Sequence, residues 1–195
     1  MRIVLNLLCC LPISPHAKAQ DQPPANLPPT PPHHKILSPE QQELQKQFRA
    51  FMDQRRTLQA QAQKAFNDAM AREKNGPCDA ESTTRGTEEC LSSESKLTDS
   101  NYAAYTGAIR AILALRARRM FPGPPALRST EEELVKEFDI LKAAWQQYRD
   151  IIPKTAYDQF KGGTLAPVFD GECTQQIVRS HMRQLNQIYG GAIRL

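Results

Sequence analysis

The chain has 195 residues, 40% of them hydrophobic and 24% charged, with 25 lysines and arginines against 21 aspartates and glutamates. The net charge of +4 is small, and it argues against the dense basic surface of a nucleic-acid-binding protein. The nearest basic group, Arg116, Arg118 and Arg119, falls at the predicted end of a helix, where the helix dipole favours cations.

Residues 1–19 have the pattern of a secretory signal peptide. Arg2 supplies a positive charge, an apolar stretch follows at 3–13, and small residues at 17 and 19 suit a cleavage site. The apolar stretch is only about 11 residues long, which is too short to span a bilayer as a helix. We therefore expect a periplasmic or secreted protein with no transmembrane segment after cleavage.

The next segment, residues 20–37, is predicted to be an extended linker. Six of the ten residues from 23 to 32 are proline, and such a tract forms neither a sheet nor a long helix. His33 and His34 at its end could bind a metal weakly. No other ligating residue lies near them in the sequence, so we interpret them as solvated linker residues and expect no metal or cofactor.

An amphipathic helix is predicted over residues 38–76. Ser38 suits the N-cap, Pro39 the first helical position, and Gln41 completes a capping box, while Gly76 suits the end. We expect the apolar stripe of this helix either to pack against the downstream core or to bind a partner. The residues of the stripe recur at helical spacing: Leu44, Phe48, Phe51, Met52, Leu58, Ala62, Phe66 and Met70.

Residues 78–190 are predicted to form one compact helical domain, so the fold class is all-α: a bundle of three to four helices with the additional N-terminal helix. The second helix runs from Thr83 or Thr84 to about Arg119, and a Pro-Gly break lies at 121–125. The predicted later elements are a third helix from 129 or 130 that Pro153 limits, a short piece at 154–160, and a last helix from Pro167 to about Tyr189. The predicted buried positions include Leu91, Leu97, Tyr102, Tyr105, Ile109, Phe138, Trp145, Tyr148, Val178, Met182, Leu185 and Ile188.

Three cysteines lie beyond the signal: Cys78, Cys90 and Cys173. Along one continuous helix the first two would be about 18 Å apart, whereas a disulfide requires Cα atoms about 4.4–6.8 Å apart. A local bond is possible only if residues 78–83 double back, and the rival pairing joins Cys173 to one of the other two. The last cysteine is not predicted to be a nucleophile, because His181 would lie about 12 Å along the same helix.

Four phrases together resemble the lysozyme-inhibitor LprI-like family of small exported bacterial proteins. They are CDAESTTRGTEEC from residue 78, LKAAWQQYRD from 141, FKGGTLAP from 160, and a helix that begins near Cys173. The resemblance covers about 78–189. Pro153 stands where the family usually carries another cysteine, and Gly86 stands where it commonly has glutamate. The resemblance therefore favours a Cys78–Cys90 bond, and it implies an all-helical periplasmic domain, some relatives of which inhibit lysozyme.

On this resemblance we expect a binding protein and not an enzyme. Its contact with a lysozyme or another cell-wall-associated protein would be a loop inserted into a cleft, through Lys161, Gly162, Gly163 and Thr164. The alternative for these glycines is a tight connection between helices. An alternative function is a non-enzymatic envelope scaffold or stress-related module that uses the helix at 38–75. An enzymatic role for Asp158, Asp170 and Glu172 as a carboxylate pair is disfavoured, since such residues beside a loop are usually solvated.

A last motif groups Trp145, Tyr148, Arg149 and Asp150 within six residues. Tryptophan, tyrosine and arginine are enriched in interface hot spots. The competing interpretation, which we favour, is structural: Trp145 packs in the core, and Arg149 forms an ion pair nearby.

Overall fold

A computed structural model describes residues 37–117 and 131–194. The predicted signal peptide, nearly all of the proline-rich linker and the break at 121–125 lie outside the described residues. Within those residues the fold is all-α, as predicted, and contains no strand: the helices are α1 (Pro39–Asn75), α2 (Thr84–Ala117), α3 (Glu131–Gln159) and α4 (Ala166–Arg194).

The first helix begins and ends where its sequence predicts. The Ser38 hydroxyl accepts a hydrogen bond from the Gln41 amide at 3.2 Å, and the Gln41 side chain accepts one from the Ser38 amide at 3.0 Å. At the other end Gly76 adopts a left-handed conformation with φ +53°. Both ends therefore satisfy backbone groups that a helix terminus leaves unpaired.

The second half of α1 packs antiparallel to α2. Three alanines at helical spacing, Ala62, Ala65 and Ala69, are buried and let the two helices approach closely. The Phe66 ring lies 5.6 Å from the Tyr105 ring, centroid to centroid. The predicted packing of the stripe is confirmed for this half only, since Leu44 in the first half is 46% exposed.

The core lies between the helices and is lined by side chains from all four. Three of the predicted buried positions are wrong: Leu97, Tyr148 and Ile188 are 42%, 52% and 62% exposed. Successive residues of a helix point about 100° apart, and at these places Thr98, Arg149 and Tyr189 take the inward positions. The largest fully buried side chains are Tyr105, Phe138, Ile109, Ile112, Met182, Leu185 and Val178.

The third helix continues through Pro153 to Gln159, so the prediction of a separate piece at 154–160 is wrong. Proline inside a helix removes one backbone donor and its ring crowds the carbonyl four residues earlier, but Pro153 is itself buried against the bundle. Tertiary packing of the helix face therefore outweighs the local cost. The last helix begins at Ala166 and continues to Arg194, past its predicted end at Tyr189.

Cys78 and Cys90 form a disulfide with Cα atoms 5.8 Å apart, so the local pairing is confirmed. The chain doubles back as this bond requires: the Glu81 amide donates to the Cys78 carbonyl at 3.2 Å. Glycine at position 86 lets Glu81 of the doubled-back segment approach α2 closely, because a Cβ at position 86 would lie 2.6 Å from the Glu81 carboxylate. Cys173 is free and half-buried.

Candidate functional site

The connection between α3 and α4, residues 160–165, is termed the glycine loop. It consists of successive tight turns, in which the Gly163 amide donates to the Phe160 carbonyl at 2.9 Å and the Ala166 amide donates to the Gly163 carbonyl at 3.3 Å. Gly162 has φ +90°, which L side chains rarely adopt, and a Cβ built on it would meet no atom within 4 Å. The loop is therefore a defined turn with an open, exposed tip.

An aromatic pair supports the glycine loop from the α4 side. The rings of Phe160 and Phe169 stack with centroids 3.9 Å apart and planes within 11° of parallel. Such a pair adds about 0.5–1.5 kcal/mol beyond the area it buries. The stack links the first residue of the loop to the first turn of α4.

The glycine loop borders the start of α2. A shallow groove of about 530 Å³ separates them, lined by Thr84, Arg85, Glu88, Tyr157, Gly162, Gly163, Thr164 and Pro167. The disulfide links the preceding segment to α2 at Cys90, two residues beyond the groove. Loop, groove and disulfide thus occupy the same end of the bundle, and Lys161 is exposed there.

Asp158, the acidic residue that precedes this loop, does not have the raised pKa of a glycosidase acid. Lys154 donates to the Asp158 carboxylate at 2.8 Å, and this bond lowers the pKa of Asp158, with a further contribution from the charges of Lys154 and Lys161. A general acid requires the opposite shift. Burial, together with the charge of Asp170, raises the pKa of the Cys173 thiol, which opposes thiolate formation.

The described residues also offer no obvious metal ligands. Across 37–117 and 131–194, no three His, Cys, Asp or Glu side chains converge on a point that could hold a metal ion. None of the helices in these ranges has an apolar run long enough to cross a bilayer.

The four residues of the Trp145 motif separate into two pairs. Trp145 is buried, and the Arg149 guanidinium lies 5.8 Å from its ring centroid and donates to Asp99 on α2. Tyr148 and Asp150 face solvent, where Asp150 accepts a bond from Gln146 at 3.1 Å. The predicted core packing of Trp145 and ion pair of Arg149 are therefore confirmed.

A buried aromatic cluster around His181 was missed in the sequence. The His181 imidazole stacks on the Trp145 indole at 4.3 Å with planes 8° apart, and the Tyr102 ring lies 4.5 Å from the indole. Burial lowers the pKa of His181 and raises that of Tyr102. His181 Nε2 and Tyr102 Oη are buried and make no hydrogen bond to any described residue.

A cavity of about 230 Å³ adjoins this cluster between α3 and α4, and we term it the α3–α4 groove. It is lined by Trp145, Tyr148, Ile177, Ser180, His181 and Gln184. Ile177, Ser180 and Gln184 lie three and four residues apart, so the sequence does place them on one face of α4. The predicted buried face includes only Ile177 of the three, because that prediction follows apolar residues alone.

A charged layer crosses the interface of α1, α2 and α4. Arg72 donates to Glu94 at 2.8 Å, and Glu94 is 5% exposed. Arg183 pairs with Glu73, and the buried Arg179 donates to the Thr98 hydroxyl at 3.3 Å. Burial lowers the pKa of Arg179, while the charges of Glu73 and Glu94 act in the opposite direction. The layer therefore joins each of the three helices to the other two.

Comparison with known proteins yields no family model, no curated protein and no solved structure that matches this chain. The resemblance to LprI-like proteins therefore stays a prediction.

Proposed function

We propose that this is a non-enzymatic, exported binding protein that blocks a lysozyme-type hydrolase by inserting the glycine loop into its cleft. One observation carries the proposal: an exposed turn lies on the stacked Phe160–Phe169 pair and borders the disulfide-linked start of α2. A loop that is already ordered loses little conformational entropy when it binds. The resemblance to LprI-like inhibitors supplies the class of target.

The chemistry of the loop suits such a cleft. Gly162 presents no side chain, so the backbone at the tip can approach a partner closely. Lysozyme-type enzymes act with two carboxyl groups, and an adjacent ammonium group would be attracted to them. Lys161 supplies that charge, since Asp158 is already bonded to Lys154.

Inhibition of peptidoglycan lysis tests the proposal. Protein lacking residues 1–19 should slow lysis by at least one lysozyme type, and Lys161→Ala should weaken the inhibition. Lys136→Ala is the matched control, since Lys136 is also exposed but lies about 35 Å away along α3. Absence of inhibition of every lysozyme type, or equal loss in the two variants, would refute the loop-in-cleft contact.

A second candidate is an envelope scaffold that binds a partner through the first half of α1. Leu44 is exposed there, and Leu37, two residues before the helix, is exposed as well. Deletion of α1 is a poor test because its second half belongs to the core, so we suggest Leu44→Glu with Gln47→Glu as the control. A partner that co-purifies with the control and not with Leu44→Glu would favour the scaffold, whereas equal recovery would exclude this surface.

A further inference from the structure

We infer that the α3–α4 groove binds the ring of an uncharged, N-acetylated sugar. The groove and the glycine loop share no lining residue. The inference is therefore independent of the proposed inhibition, and either can fail alone.

The electrostatics of the groove favour a neutral ligand. None of its lining side chains carries a charge at neutral pH, since burial lowers the pKa of His181 and keeps its ring unprotonated. The nearby Arg149 donates to Asp99 across the bundle, so its charge is already compensated. An anion or a cation would lose its hydration in the groove and gain no ion pair.

The two walls of the groove differ in polarity. From α3, the half-exposed Tyr148 and the buried Trp145 contribute aromatic side chains to the lining. From α4, Ser180 and Gln184 contribute a hydroxyl and an amide, while His181 lines the groove with its ring and keeps Nε2 buried. A pyranose ring has the matching halves, because its axial C–H groups form an apolar face and its hydroxyls form a polar rim.

Two features point to an N-acetylated ring in particular. The Gln184 NH2 group is a donor, and its oxygen, which is in weak contact with His181 Nδ1 at 3.5 Å, keeps a second lone pair as an acceptor; together they complement an acetamido group. Ile177 lies one helical turn from Ser180 and provides apolar surface for the acetyl methyl. At about 230 Å³ the cavity is smaller than the roughly 300–1,000 Å³ of pockets for drug-sized ligands, so it suits one ring.

Intrinsic fluorescence provides a direct assay, since Trp145 is the chain's single tryptophan and lines the groove. Titration of the full chain with N-acetylglucosamine at neutral pH should change the emission saturably. Glucose, which lacks the acetamido group, should bind more weakly. Gln184→Leu should reduce that preference.

The aromatic wall is tested by two tyrosines of α3. Tyr148→Ala should weaken binding about tenfold, the upper range for an aromatic contact. Tyr157→Ala is the matched control for sugar binding and should bind N-acetylglucosamine as the unaltered chain does, because Tyr157 is also exposed but lines the groove beside the glycine loop and not the α3–α4 groove. Circular dichroism melts would verify that both variants are folded.

Three results would overturn the inference. They are the absence of a saturable response to N-acetylglucosamine, equal weakening by Tyr157→Ala, and equal affinity for N-acetylleucinamide, which would assign the groove to a protein side chain. Lysozyme inhibition measured on Tyr148→Ala separates the two proposals, since the glycine loop is intact in that variant.

Discussion

The His181 imidazole lies parallel to the Trp145 indole, with centroids 4.3 Å apart. Both residues are buried, one on α4 and one on α3, so the stack joins two helices that the chain connects only through the glycine loop among the described residues. His181 Nδ1 lies 3.5 Å from the Gln184 side-chain oxygen, which is a weak contact. The ring therefore depends on packing more than on hydrogen bonds.

The stack predicts a pH-dependent fluorescence. A protonated imidazole in contact with an excited indole accepts an electron and quenches it, whereas a neutral imidazole quenches weakly. Because burial lowers the pKa of His181 from 6.5, emission should stay constant through neutral pH and fall only below that value. A fluorescence titration of the folded chain measures the midpoint. His181→Gln should abolish the step, and a midpoint at or above 6.5 would contradict the burial of the ring.

The same group predicts how stability depends on pH. The folded pKa of His181 is below its unfolded value of 6.5, so between these two values the unfolded chain binds a proton that the folded chain does not. The contribution of His181 to the free energy of unfolding is therefore complete above pH 6.5. It falls as the pH drops toward the folded pKa, by at most about 1.4 kcal/mol per pH unit. Urea unfolding at several pH values measures this slope.

His181→Gln should remove this contribution and leave that of the carboxylates. Glu94 contributes in a lower window, because its pKa is lowered by the bond from Arg72 and its stabilisation is lost as the pH falls through that value. If the free energy of unfolding of His181→Gln keeps the same dependence on pH near and just below pH 6.5, His181 is not the titrating group.

Within the charged layer, we expect one substitution on α2 to lower the free energy of unfolding strongly. Glu94→Gln keeps an acceptor for Arg72 but removes the charge that faces Arg72 and Arg179. We expect the free energy of unfolding to fall by about 1.5–3 kcal/mol, the range for a hydrogen bond to a charged group. Urea unfolding midpoints measure the loss.

An exposed pair on the same helix is the control for that substitution. Glu89 accepts from Arg85 at 2.9 Å in a solvated i,i+4 pair, so Glu89→Gln should cost no more than about 0.5 kcal/mol. If Glu89→Gln and Glu94→Gln lower the free energy of unfolding equally, the burial of Glu94 adds nothing to the stability that its ion pair provides.

The sequence could predict features that depend on neighbouring residues. Ser38 with Gln41 determined the start of α1, and the helical spacing of apolar residues predicted an all-α fold. The features that it could not predict depend on which helices face each other. Glu94 and His181 are polar and would be placed on the surface by pattern alone, yet both are buried because a partner on another element contacts each of them.

The disulfide predicts both a thiol count and a stability change. In the full chain with Cys9 and Cys10 replaced by serine, denatured protein should show one thiol before reduction, Cys173, and three after it. Replacing Cys78 and Cys90 by alanine should lower the free energy of unfolding by on the order of 3 kcal/mol, because the unfolded chain loses a closed loop. Three thiols before reduction would show that the bond does not form.

We expect replacement of glycine by alanine to have opposite effects on stability at two positions, Gly107 and Gly162. Gly107 lies exposed in the interior of α2, and a Cβ there would meet no atom within 4 Å, so Gly107→Ala should stabilise by about 0.5–1 kcal/mol through helix propensity. Gly162 also has open space, but its φ of +90° is strained for alanine, so Gly162→Ala should destabilise by about 1–2 kcal/mol. Since neither new methyl group contacts a neighbour, the difference in unfolding midpoint isolates the backbone conformation. Stabilisation by both substitutions would show that the glycine loop does not hold this turn in solution, and it would remove the rigidity on which the proposed insertion into a cleft depends.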